Sequence, residues 1–301
     1  MRGARMRSTQ RMQTSQKIES KSLTEVAALT GLTLAAFAAN SLVCRKALGE
    51  NLIDPVSFTV LRLVSGAVVL SPVSGLFRNR EMKGIGGSWG SGIALFSYAL
   101  LFSLAYVSLS AGTGALLLFG SVQVTMIGLA SIAGQAPTRA QWWGLCVAVV
   151  GLVYLLLPGI TSPDVTGAML MCGAGVSWGI YSIRGRGNSA PALMTAGNFL
   201  RAIPPSALTI MAYISFKQSH LELEGILLAL ASGMVTSGLG YVLWYRVLRN
   251  LTTTQAAVSQ LLVPVLAGFG GVAFLSEHLS PRLILASVLV LGGTATAVLK
   301  R

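Results

Sequence analysis

Charge is what this sequence has least of. Only 10% of its 301 residues are Asp, Glu, Lys or Arg, and only 9 are acidic. A water-soluble domain gives about a quarter of its residues to charge. This chain therefore cannot coat its 53% of hydrophobic residues with a hydrated surface. The solvent that needs no such coat is the lipid bilayer. Cysteines are few, and Cys44, Cys146 and Cys172 all lie inside apolar runs, which argues against a disulfide framework or a zinc cluster. The two histidines, His220 and His278, lie between such runs, so a helical His pair for metal and a triad with a buried His both fail on inventory. A Walker-type glycine loop is missing too, which leaves no ATP drive in this chain. The net charge of +13 forms no continuous basic stripe and so does not point to nucleic acid. No cofactor is implied.

What is present is a series of apolar runs, each near the roughly 20 residues that cross a hydrocarbon core. Ten are predicted, over 25–44, 57–77, 90–108, 113–133, 141–158, 166–183, 192–214, 225–245, 255–275 and 281–299. The separators are short and carry Gly, Pro and Asn, so consecutive runs form hairpins of one all-α bundle. Residues 1–24 are basic, rich in Ser, Thr and Gln, and read as a disordered cytoplasmic tail, with a transit peptide of similar composition or a later start at Met6 or Met12 as the alternatives. Positively charged loops stay in the cytoplasm. With the N-terminus inside, sixteen Lys and Arg fall in inner segments and four in outer loops, with Arg62 and Arg201 inside spans. Both termini are expected to be cytoplasmic, in an inner (plasma) membrane.

A repeat is visible in the same pattern. Arg45 and Arg62 in the first half recur as Arg184 and Arg201 in the second, both at an offset of 139 residues. Leu61-Arg62 matches Leu200-Arg201. Further on, Gln135 matches Glu277 and Gly151 matches Gly293 at an offset of 142. The expected units are 25–158 and 166–299. Five spans is an odd number, so the second unit enters the membrane from the opposite side, the inverted plan of many secondary transporters.

These residues carry a family resemblance. Ser177-Trp178-Gly179, the two Leu-Arg pairs, Leu262-Val263-Pro264-Val265, Ser276-Glu277 before Leu279-Ser280, and Gly292-Gly293 make the chain similar to EamA-type members of the drug/metabolite transporter superfamily. The chain departs from that pattern at Ala39-Asn40, where the family usually has Trp-Gly, and at Gly134-Gln135 and Ser276-Glu277, where it favours Gly-Glu. The resemblance implies a ten-helix carrier of small metabolites, often an exporter, with a cavity between its halves lined by spans 1, 3, 4, 6, 8 and 9.

Candidate site residues follow from polarity in the wrong solvent. Ionisable groups inside a membrane are functional candidates by default. All nine acids and both histidines fall in tails, loops or span ends, so no proton relay is expected and facilitated diffusion or exchange is favoured over proton antiport. Arg62 and Arg201 could each bind a substrate carboxylate. Equally, each could satisfy helix-end carbonyls or snorkel to the interface, a structural role that their recurrence in both halves favours. Asn40, Gln123 and Gln260 are polar within spans, and each could be a helix–helix hydrogen bond or part of a polar lumen. Trp178 and Tyr181 could wall that lumen. Tyr106 and Tyr245 are expected in an interfacial aromatic belt and Trp142 and Trp143 as interface anchors. Asn40, Gln123, Trp178, Tyr181 and Gln260 are thus the predicted contacts for a small organic substrate such as an amino acid. The rival readings are a non-transporting scaffold or receptor, with a solid core, and an intramembrane enzyme, with a buried acid, base or nucleophile.

Overall fold

The computed structural model describes residues 2–76, 86–134, 138–159, 162–186 and 190–299. Gln135, paired above with Glu277, lies outside them. All ten predicted runs fall in helices. These are α1 (Arg2–Gly49), α2 (Pro55–Leu76), α3 (Trp89–Tyr106), α4 (Ala111–Ile132), α5 (Arg139–Leu156), α6 (Val165–Gly185) and α7 (Pro191–Phe216). The eighth span is α8 (Leu223–Ala231), a π-helical turn (Ser232–Leu239) and α9 (Gly240–Leu248). The ninth is α10 (Thr253–Ser259) followed by α11 (Leu262–Leu275), and α12 (Pro281–Leu299) closes the chain. Among the described residues, seven helical stretches are long and apolar enough to cross a membrane, and Trp142–Leu156 and Pro281–Gly293 are shorter apolar helices.

Local chemistry sets the helix ends. Ser88, Ser110 and Asp164 accept hydrogen bonds from Ser91, Thr113 and Gly167 backbone N–H groups, capping α3, α4 and α6. Thr252 and Gln255 form a reciprocal capping box on α10. Pro55, Pro191 and Pro281 occupy first helical positions, where the missing N–H costs nothing. Ser276 ends α11 with a left-handed backbone, φ 53°. Pro264 explains the break in span 9. Its ring would clash with the carbonyl of Gln260 in a continuous helix, so α10 stops at Ser259 and α11 restarts at Leu262.

The helices pack in related pairs. α2 lies along α7, and α5 along α12; α6 sits between α3 and α4, while α1 sits between span 8 and α11. α2 also meets the π turn, α3 meets α7, and α4 meets α11. Several of these approaches require glycine. A Cβ on Gly175 of α6 would lie 2.5 Å from the Leu118 carbonyl oxygen of α4, and one on Gly233 would lie 2.2 Å from the Arg62 carbonyl oxygen. Small residues are how helices approach closely in lipid, where no hydrophobic force distinguishes helix from acyl chain.

Candidate functional site

The centre of the bundle is aromatic and polar at once. Trp178 of α6 lies at its middle, 4.7 Å from the ring of Tyr241, 4.9 Å from Tyr98, 5.3 Å from Phe37 and 5.4 Å from Tyr181, centroid to centroid. Phe37 meets it edge to face, the geometry that ring quadrupoles favour. These rings come from α1, α3, α6 and α9. A cavity of about 10 Å³, room for roughly one water, lies among Phe37, Asn40, Tyr98, Phe119 and Trp178. The centre is therefore closely packed.

Each predicted contact residue is buried at or beside this cluster. Asn40 and Trp178 border the cavity itself. Asn40 Oδ1 accepts from Ser232 Oγ at 2.7 Å and Thr236 Oγ1 at 2.8 Å, tying α1 to the π turn. Trp178 Nε1 donates to Gln260 Oε1 at 2.9 Å, and Gln260 Nε2 donates to the Ala256 carbonyl at 3.1 Å. Gln123 Nε2 donates to the Ala257 carbonyl. Both glutamines thus serve carbonyls of α10 just before the break that Pro264 imposes. Such carbonyls have no partner in lipid and must find one within the protein. Tyr181 stacks on Trp178 and Tyr245. Its hydroxyl makes no hydrogen bond of good geometry among the described residues, although Asn198, Thr195 and Tyr245 lie beside it.

Arg62 and Arg201, which share one offset in the sequence, differ in three dimensions. Arg201 is half-buried and donates to the carbonyls of Gly197 and Gly86, the carbonyl-satisfying role expected of it. Arg62 is 1% exposed and neither snorkels nor caps a helix. Its Nε donates to Ser237 Oγ at 2.8 Å, and Nη2 donates to the hydroxyls of Tyr241 at 2.6 Å and Tyr98 at 3.2 Å. Its guanidinium carbon lies 5.2 Å from the ring centroids of both Tyr98 and Phe102. No carboxylate pairs with it among the described residues.

The belt residues need correction. Tyr106 and Tyr245 are fully buried, Tyr106 edge-on to Phe102 at 4.7 Å and Tyr245 stacked on Tyr181 at 5.1 Å. Their hydroxyls donate to the carbonyls of Ala111 and Tyr181, so they need no interfacial water. Position near a span end could not reveal this, because neighbouring helices extend past those ends. Trp142 and Trp143 are exposed, 52% and 74%, as anchors are.

Sequence reasoning also missed a lock at one end of the bundle. Glu277, just beyond α11, accepts from Arg45 Nε at 3.0 Å and from the Ala111 backbone N–H at 2.9 Å. Arg45 also donates to the Tyr106 and Val107 carbonyls. One carboxylate thus joins the ends of α1, α3 and α11 to the start of α4. Complementary charges at positions 45 and 277 were the only available signal, and nothing in one dimension pairs residues 232 apart.

Comparison with known proteins places this geometry in context. The EamA-like transporter family matches residues 165–299. The chain is 47% identical over 273 residues to the uncharacterized protein PA1977 of Pseudomonas aeruginosa, covering 91% of this chain and 94% of that one. It is 28% identical over 200 residues to the threonine/homoserine exporter RhtA of Escherichia coli, covering 65% of each. A chain of known crystal structure, 20% identical, has the same fold, with a TM-score of 0.66 over 92% of this chain and 98% of that one.

Proposed function

Since this chain belongs to the EamA-like transporter family, and so is a membrane transporter, we propose that it carries a small organic metabolite such as an amino acid by alternating access, as an exporter or exchanger. The observation that carries the reading is the convergence of Asn40, Gln123, Trp178, Tyr181 and Gln260, from four different spans, on one closely packed aromatic centre. Aromatic walls with a few placed polar groups are the composition of a small-molecule site. The name of RhtA, a threonine/homoserine exporter, supports the substrate class.

Ten spans in two inverted five-helix units, 25–158 and 166–299, supply the machinery in this reading. The packing supports it. Exchanging each span with the one five later maps α6 against α4 onto α1 against α11, and α6 against α3 onto α1 against span 8. The same exchange returns the α2–α7, α5–α12 and α4–α11 pairs to themselves. A site on the axis of such a pair opens to one side or the other as the halves rock. Both termini face the cytoplasm, as the loop charges require. With no acid in the central cluster, transport proceeds by facilitated diffusion or exchange.

The test is reconstitution into proteoliposomes and flux of a panel of radiolabelled amino acids. Saturable flux that persists when the pH gradient is collapsed is expected. Strict dependence on that gradient overturns the coupling, and absence of saturable flux overturns the carrier.

A further inference from the structure

Arginine stays protonated at any accessible pH, so Arg62 is a fixed positive charge in the middle of an apolar bundle. A buried charge is costly unless it is paired. Of the five N–H donors on a guanidinium, the one on Nε serves Ser237 and the two on Nη2 serve Tyr98 and Tyr241. All three partners are neutral hydroxyls. The remaining nitrogen, Nη1, is buried and has no partner among the described residues. Tyr98 and Phe102, the rings beside the guanidinium, also border the central cavity. The unspent charge and the unspent donors therefore lie one ring away from the candidate site.

We propose that Arg62 is the anion-recognising group of this carrier, and that its substrate presents a carboxylate which takes up the free Nη1 edge. The inference rests on the carrier reading above and adds to it a specificity residue and a required substrate group. A carboxylate matches the planar donor fork and brings the counter-charge that the site does not supply itself. The hydroxyls of Ser237, Tyr98 and Tyr241 fix the guanidinium in place before substrate arrives, leaving only Nη1 to be satisfied. The faces of Phe37, Tyr98 and Trp178 offer the other end of a zwitterion what a site without a carboxylate still can, a cation–π contact for its ammonium. Occupancy requires the rings around the cavity to part, because about 10 Å³ holds no metabolite.

Arg201, at the equivalent repeat position, spends donors on the Gly86 and Gly197 carbonyls. The anion site is therefore one-sided, which suits a ligand that has no two-fold symmetry of its own.

The experiment compares, in proteoliposomes of the wild-type protein, inhibition of the flux of each transported panel amino acid by the same unlabelled amino acid and by its carboxamide, which keeps the ammonium and side chain but has no carboxylate. Weakening of inhibition by about tenfold or more with the carboxamide is expected, the scale of a lost charge-assisted hydrogen bond. Equal inhibition by the two overturns the role of Arg62 while leaving the carrier standing. No saturable flux of any panel member overturns both. The variants Arg62→Lys and Arg62→Met supply the link to the residue. Each is first checked for a wild-type elution profile in detergent, and the discrimination between acid and carboxamide is then read as a ratio. That ratio is expected to collapse toward unity in Arg62→Met and to fall in Arg62→Lys, which keeps the charge but not the fork. A merely structural arginine would lower the flux of every ligand and leave the ratio at its wild-type value in both variants, and that result overturns the proposal.

Discussion

Replacing Glu277 with Gln keeps the volume of the side chain and leaves an amide oxygen able to accept from the Ala111 N–H. What disappears is the charge facing Arg45 Nε at 3.0 Å. Both groups are mostly shielded, 26% and 13% exposed, so screening by water does not erase the pair. Arg45 stays charged, so its bond to the amide oxygen is weakened without becoming neutral, while the Ala111 N–H bond passes from a charged acceptor, about 1.5–3 kcal/mol, to a neutral one, about 0.5–1.5. The substitution should therefore cost the closed end roughly 1–1.5 kcal/mol, a shift of about five- to tenfold in its closed-to-open ratio. Cys44 is a native reporter of that ratio. It precedes Arg45, is fully buried, and places its Sγ 3.9 Å from Asn40 Oδ1 and 3.8 Å from Ser232 Oγ, within the central polar knot. With Cys146 and Cys172 replaced by Ser, a membrane-impermeant maleimide applied from the Glu277 side should alkylate Cys44 about five- to tenfold faster in Glu277→Gln than in the parent. Arg45→Met should accelerate it by a similar factor, and the double variant by little more, because the two substitutions remove one interaction. Unchanged labelling in Glu277→Gln, or strictly additive effects of the pair, would refute the reasoning that this contact holds the end of the bundle shut.

Other outcomes follow from the same contacts. Trp178→Phe keeps an aromatic wall but strands Gln260 Oε1; a loss of about 1–3 kcal/mol is expected, read as a lower unfolding temperature, with partial recovery in Trp178→Phe/Gln260→Leu. Gln123→Ala uncovers the Ala257 carbonyl beside the span 9 break and should weaken both stability and flux; full activity would remove Gln123 from the site. Gly175→Val drives a side chain into the Leu118 carbonyl and should cost about 1–3 kcal/mol or more, measured as lost folded yield, whereas Gly292→Ala, with open space around it, should be silent. Impermeant labels on Arg45→Cys and Arg184→Cys in intact cells should reach the first and not the second if the halves are inverted.

The lengths and positions of the helices were legible in the sequence because they depend on quantities that add along the chain. An apolar run either is or is not long enough to cross hydrocarbon, and the predicted runs became helical, with a π turn in the eighth and a break in the ninth. Caps such as Ser110 and Asp164, and the break before Pro264, are likewise local, settled within four residues of backbone. The burial of Asn40, Gln123, Trp178 and Gln260 was legible too, since polar groups in a span turn away from lipid. Their partners were not. Gln123 and Gln260 read as helix–helix hydrogen bonds or part of a polar lumen, and that they serve last-turn carbonyls of α10 depends on which helix lies opposite. Tyr106 and Tyr245 read as interfacial because depth was inferred from distance to a span end, while burial is decided by neighbours. Arg62 and Arg201 show the division most sharply. Their positions match in one dimension, yet Arg201 serves carbonyls while Arg62 sits uncompensated at the centre, because the surrounding helices bring backbone oxygens to Arg201 and tyrosines to Arg62. Hydrophobic length, loop charge and proline position act one residue at a time and were settled by the sequence alone. The pairing of groups tens or hundreds of residues apart depends on short-range contact, whose strength is gone within a few ångströms, and only the packed bundle could decide it.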